Sequence, residues 1–280
     1  MSLSFAKAPS PILASVVKEE TKKAAMASIT NSIYNGATGI DLHLSCMREE
    51  ERTVDALRQI VNMCKLPILA LNYDIDMFAQ VQPSTEEERV DILLKAAEAG
   101  VACIDFQGYT LDKESKYKFR QEFSHLDYSF VKANPHEVIM DEKVIDKQME
   151  LFEKVHYMGT EVLLSCHPRV YLDAEQVVEL ALFLEKRNPD VIKIVTSSRT
   201  EDDVIEGIRA MHLLKKELKT PVTYHLSGQS GKLSRILNPV LGGHIVFCND
   251  RCNTASDMSQ LDLREAKKVI DAMNLMKGKC

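Results

Sequence analysis

Several features are missing from this sequence, and each absence closes a class of protein. No C-x-x-C pair occurs, and the seven cysteines are an odd number. A disulfide framework or a thiolate metal site needs paired spacing, so the thiols are expected to be reduced. Cys46, Cys103, Cys166 and Cys248 sit in or beside apolar strands and read as buried groups. Neither metal nor cofactor is expected. No apolar run reaches the ~18 residues of a membrane span. The start, Met1-Ser-Leu-Ser-Phe-Ala-Lys, lacks the architecture of a signal peptide. The expectation is a cytoplasmic protein with no membrane partner. Basic charge is not in excess: the formal charge is −6 with acids and bases interleaved, so nucleic acid is not an expected partner. Finally, no strand leads into a G-x-G-x-x-G turn, which leaves a doubly wound nucleotide-binding sheet without support.

What is present is a regular alternation of apolar strand runs and amphipathic helices. Strands are expected at 12–17, 40–44, 66–73, 101–106, 162–166, 191–195, 221–226 and 244–248. The second of these alternates apolar and polar residues and predicts one polar face. Helices are expected at 19–33, 50–63, 84–100, 141–158, 173–186, 200–218 and 261–276, with a short one at 233–237. Residues 108–140 are less regular and read as an inserted segment of a chain taken as one domain, 1–280. Strict strand–helix alternation predicts a parallel sheet. Eight such units in about 250 residues match a (β/α)8 TIM barrel. In a barrel the site lies where the strands end, so the polar residues there carry weight: Asp41, His43, Asn72, Asp105, His167, Lys193, Tyr224 and His225.

Lys193 interrupts the apolar strand 191–195 and shares a strand face with Val191 and Val195. Burial disfavours an ammonium ion, and the neutral amine that results can attack a carbonyl to form a Schiff base. The protonated imine is an electron sink for removal of a proton from the adjacent carbon, and His167, ending the preceding strand, could accept that proton. The other reading is a lysine with a buried stem and a head that reaches solvent, beside a loop histidine. The residues alone leave these two readings open.

A set of ordered motifs then carries a family resemblance. Ser165-Cys166-His167 closes one strand, and Asp190-Val191-Ile192-Lys193-Ile194-Val195 forms the next. Gly231-Lys232-Leu233-Ser234-Arg235-Ile236 follows the seventh strand, Ile245-Val246-Phe247 lies in the eighth, and Ser256 precedes Gln260 in the loop beyond it. The chain resembles the type I 3-dehydroquinate dehydratases, strongly from 161 to 260 and weakly before that. The resemblance implies a class I aldolase-like (β/α)8 barrel, a homodimer, and elimination of water from a small anionic hydroxy-keto acid. It implies Lys193 as the imine-forming amine, His167 as general base and acid, and Arg235 as the clamp on the substrate carboxylate. It also implies Ser256 and Gln260 on a lid, and Asp105 as a group that orients its neighbours.

Two stretches depart from the family pattern. Asp41-Leu42-His43 stands where the family has Glu-x-Arg, and Asn72 stands where it has a second arginine. Asp41, His43 and Asn72 are therefore expected to bind substrate through changed chemistry. The readings kept are a hydro-lyase on 3-dehydroquinate or a close cyclic relative, a lysine-imine aldolase or isomerase on another keto acid, and a non-catalytic paralogue that binds carboxylates.

Overall fold

The structure, a computed structural model, describes residues 3–74, 80–82, 84–112, 137–168, 170–228, 230–252, 256–276 and 278. Its elements alternate as the sequence leads one to expect. Strand β1 (Ile12–Val17) is followed by helix α1 (Lys22–Tyr34), β2 (Gly39–His43) by α2 (Val54–Met63), and β3 (Ile68–Leu71) by α3 (Glu86–Ala99). Next come β4 (Cys103–Gln107), α4 (Glu142–Tyr157), β5 (Glu161–Cys166), α5 (Ala174–Glu185), β6 (Val191–Ser197) and α6 (Glu201–Glu217). The chain ends with β7 (Val222–Ser227), α7 (Lys232–Leu241), β8 (Ile245–Asn249), a two-residue β9 (Leu261–Asp262) and α8 (Leu263–Met276). Of the expected insertion at 108–140, residues 113–136 lie outside the described residues.

The helix starts follow from local chemistry. Thr85, Asp173 and Thr200 each form a capping box, in which the cap side chain and the third helical residue exchange hydrogen bonds. Gly100 ends α3 with φ +94, a left-handed conformation that glycine adopts without a side-chain penalty.

Several details differ from expectation. The acidic run Glu49–Glu51 forms a separate 3-10 turn, and α2 starts only after Thr53, whose hydroxyl accepts from Ala56 N. All five residues of β2 are buried, so its expected polar face does not meet solvent. Helix α7 does not stop before Pro239 but runs through it to Leu241. Asn238 anchors it there by donating from Nδ2 to Tyr224 O at 2.6 Å. Leu261 and Asp262 form β9 rather than the first turn of the last helix.

The chain divides into two compact units, 1–104 with 158–161 and 244–280, and 105–157 with 162–243. In the first unit, β1 pairs in parallel with β2 and β8, β2 with β3, and β8 with β9. Its core is aliphatic, with Ile12, Ala14, Ile29, Ile40 and Leu69 fully buried. The segment before β1 is tied down by Glu161, whose Oε2 accepts from Phe5 N at 2.6 Å and Ala6 N at 2.9 Å.

In the second unit, β5 pairs in parallel with β6 and β6 with β7. The register sets Ser165 beside Lys193, Lys193 beside Thr223, and Val195 beside His225. Side chains alternate across a strand, so Ser165, Lys193, Thr223 and His225 share one face. The described ends of the irregular segment belong to the core of this unit: Tyr109, Val138 and Ile139 are each 1% exposed. Gln148 on α4 donates to Gly108 O at 3.1 Å and Thr110 O at 2.6 Å, and its own carbonyl accepts from the buried Arg187 at 2.6 Å. Burial brings the Arg187 guanidinium down to about 10.

Candidate active site

Lys193 is 7% exposed, and its Nζ lies 3.3 Å from Oδ2 of Asp105, a fully buried carboxylate on β4. The sequence places both residues among the strand-end polar groups, and the fold of the second unit makes them an ion pair. An ammonium must lose a proton before its nitrogen can attack a carbonyl, and Asp105 stands within reach of that proton.

His167 follows β5, two residues beyond Ser165. It meets Glu137 twice. The Glu137 Oε2 atom accepts the His167 backbone N–H at 2.9 Å and faces Nδ1 of the ring at 2.7 Å. The neighbouring Cys166 is fully buried, and burial first, then the Glu137 charge, hold its thiol well above the ordinary range. It is a neutral thiol and not a nucleophile.

Arg235 is 8% exposed on the first turn of α7. Its neighbour Ser234, fully buried, fixes that turn to the end of β7. The Ser234 hydroxyl accepts from Leu226 N at 2.9 Å and donates to Gly231 O at 2.6 Å. Gly231 is required there, because a Cβ atom would lie 2.6 Å from both Leu226 O and Ser227 O.

His225, on the face shared with Lys193, is held well below the ordinary imidazole value. Burial is the main cause, followed by the positive fields of Arg235, Lys193 and His167. His225, Arg235, Lys193 and His167 thus form a cluster of basic side chains within the second unit. Such a cluster suits an anion that carries a carbonyl.

The remaining predicted residues lie in the first unit. Asp41 and His43 are 3% and 6% exposed, and His43 Nε2 lies 3.3 Å from Asp41 Oδ2. Asn72 is 2% exposed, donates from Nδ2 to Arg89 O at 3.1 Å, and its backbone carbonyl accepts from the Arg89 guanidinium at 3.2 Å. Ser256 is buried and donates to Arg251 O at 3.1 Å. Gln260 is half-buried, and its side-chain oxygen has no hydrogen-bond partner among the described residues. Among the described residues, no group of three His, Cys, Asp or Glu side chains is placed to hold a metal ion. No helix among them is long and apolar enough to cross a membrane.

Residues 14–277 match the family profile described as type I 3-dehydroquinase. The chain belongs to that family. A curated relative, the 3-dehydroquinate dehydratase of Staphylococcus epidermidis, is 28% identical over 104 residues, which are 37% of this chain and 44% of the relative. The chain thus spans no more than half the length of the curated relatives it matches. Solved structures are similar over much more of it. The 3-dehydroquinate dehydratase of Geobacillus kaustophilus superposes with a TM-score of 0.74 at 12% identity, covering 98% of this chain and 97% of that one. The type I enzyme of Clostridium difficile, carrying covalently modified comenic acid, superposes at 0.72 and 15% identity, covering 97% and 94%. The fold is α/β, the (β/α)8 barrel class of the type I dehydroquinases.

Sequence reasoning missed Glu137 and did not choose His225. Glu137 stands in an aperiodic stretch and touches a histidine 30 positions away, and neither strand nor helix spacing reports such a contact. His225 does carry a signal: it lies in β7, two positions beyond the residue in register with Lys193.

Proposed function

We propose that this chain is a Schiff-base hydro-lyase that dehydrates 3-dehydroquinate or a closely related cyclic hydroxy-keto acid. The observation that carries the reading is the buried Lys193–Asp105 pair, one strand from His167, in a chain of the type I 3-dehydroquinase family. Lys193 Nζ attacks the substrate carbonyl, and loss of water gives the imine. His167 takes a proton from the carbon beside the imine, and the electron pair passes into the iminium. The hydroxyl on the next carbon then departs with that proton as water. Hydrolysis of the imine frees the enone and restores the lysine.

Arg235 is proposed to bind the substrate carboxylate. Asp41, His43, Asn72, Ser256 and Gln260 are proposed to contact its remaining groups. One observation favours a second reading, a lysine-imine enzyme on another keto acid: Asn72 gives its amide to Arg89 O, so the hydroxyl recognition differs from an arginine's. A cytoplasmic location is proposed, supported by the burial of five of the six described cysteines, as expected of small apolar side chains in a core. The family likeness supports a homodimer, which light scattering tests.

The test of function is borohydride trapping. Incubation with 3-dehydroquinate, reduction and peptide mass analysis should give an adduct on the peptide holding Lys193, with enone absorbance growing in parallel. An adduct with other keto acids but not this one moves the substrate. No adduct with any carbonyl compound removes the imine chemistry.

A further inference from the structure

We propose that Glu137 is the positioning residue for His167. It fixes which ring nitrogen acts as the base and balances the charge the ring acquires. The catalytic consequence rests on the hydro-lyase reading, while the geometric claim stands by itself.

Glu137 is 5% exposed, yet it lies at the described end of an aperiodic segment rather than on a strand or helix. It reaches His167 at two points, the backbone N–H at 2.9 Å and ring Nδ1 at 2.7 Å. One contact would cap the strand end, and the second orients the ring. A carboxylate can only accept, so Nδ1 carries the hydrogen and the lone pair lies on Nε2. The Glu137 side chain keeps 7% of its surface and the imidazole 19%, so the accessible part of the pair belongs to the ring.

The backbone is built to hold the acid there. Glu137 has φ +66, a left-handed conformation that a glutamate rarely adopts. Its carbonyl accepts from Cys166 Sγ at 3.6 Å. The same carbonyl fills the place of a side chain at Gly108, where a Cβ atom would lie 1.8 Å from it. Gly108 in turn donates to Ser165 O at 2.7 Å. Thus the strand that ends in His167, the turn at Gly108 and the residue carrying the acid form one tight unit. During the proposed reaction Nε2 takes the substrate proton, the ring becomes an imidazolium, and the Glu137 carboxylate lies against the new charge. When Nε2 returns the proton to the departing hydroxyl, the neutral Nδ1–H ring is restored.

The experiment compares Glu137→Gln and Glu137→Ala with the parent. The glutamine keeps size and an acceptor for Nδ1–H but removes the charge, and it is the variant that preserves the fold. We expect kcat to fall about 10-fold in Glu137→Gln and about 100-fold in Glu137→Ala, with KM changed less than about threefold, as for loss of a properly held general base. Borohydride should still label Lys193 in both variants, because imine formation does not need this acid. Nitrogen-15 side-chain spectra should show His167 protonated at Nδ1 in the parent and redistributed in Glu137→Ala. Unchanged kcat in Glu137→Gln with labelling intact would overturn the proposal, as would an Nε2–H tautomer in the parent. If the parent traps no imine, the hydro-lyase reading fails, and the tautomer spectra alone decide the role of Glu137.

Discussion

Replacing Asp105 by Asn removes the charge that faces Lys193. At 3.3 Å between Nζ and Oδ2, the attraction is about 5 kcal/mol at an effective dielectric of about 20. The Asp105 side chain is 0% exposed and that of Lys193 8%, so solvent screens the pair little, while both groups have lost most of their hydration. Hydration loss offsets much of the attraction, so the pair as a whole adds little stability. Removing one member is different, because the other keeps its desolvation penalty. The expected loss for Asp105→Asn is about 3–5 kcal/mol. For a chain of this size that lowers Tm by about 6–20 °C. Urea unfolding of Asp105→Asn, Lys193→Met and the double variant closes a thermodynamic cycle. The double variant should recover at least about 2 kcal/mol relative to the sum of the single losses. A coupling below about 0.5 kcal/mol would show that the two residues act independently and refute the argument. Lys193→Met also provides the blank for borohydride trapping, since it should give no adduct.

Two further outcomes follow from groups in each unit. Burial holds the imidazoles of His225 and His244 below their ordinary value of 6.5, so the unfolded chain takes up protons first as pH falls. The stability these rings contribute is complete above 6.5 and is lost below it, by up to about 1.4 kcal/mol per pH unit for each ring. Asp203 and Asp262 are held below 3.8 and titrate beneath this window. Urea midpoints at about pH 7.5 and about pH 5.5 should therefore differ, and a flat profile between them would contradict the assignment. Ser234→Ala removes the acceptor of Leu226 N at 2.9 Å. It should cost about 1–3 kcal/mol in unfolding experiments and raise KM more than it lowers kcat, because Arg235 follows directly. An unchanged KM would separate the clasp from substrate binding.

Local signals in the sequence made most of the architecture legible. The β-branched run at Val191–Val195 and the cap at Asp173 each depend on neighbours a few residues away, and β6 and α5 lie where those signals point. Helix α2 starts late because three successive glutamates form their own turn ahead of the Thr53 cap. Helix α7 continues through Pro239 because its hold is tertiary, through Asn238 and Tyr224 O. Lys193 was conspicuous as a charge inside an apolar strand. Its partner was harder to see, since Asp105 is 88 positions away and only the packing of the second unit brings them together. Glu137 was hidden for the same reason, with the added obstacle that its backbone conformation has no signature in residue type.

The approach of α6 to β7 has an evolutionary consequence. Gly207 lies in α6, and a methyl group there would meet Leu226 Cδ1 at 2.6 Å and Cγ at 3.1 Å. Leu226 is 1% exposed, and its backbone N–H is the one clasped by Ser234. A helix that carries none of the candidate residues therefore sets the position of the strand end from which Arg235 is presented. On the proposed role of Arg235, drift at position 207 would alter ligand affinity without touching the ligand. Descendants of this chain could retune their specificity from a helix face as readily as from the loops.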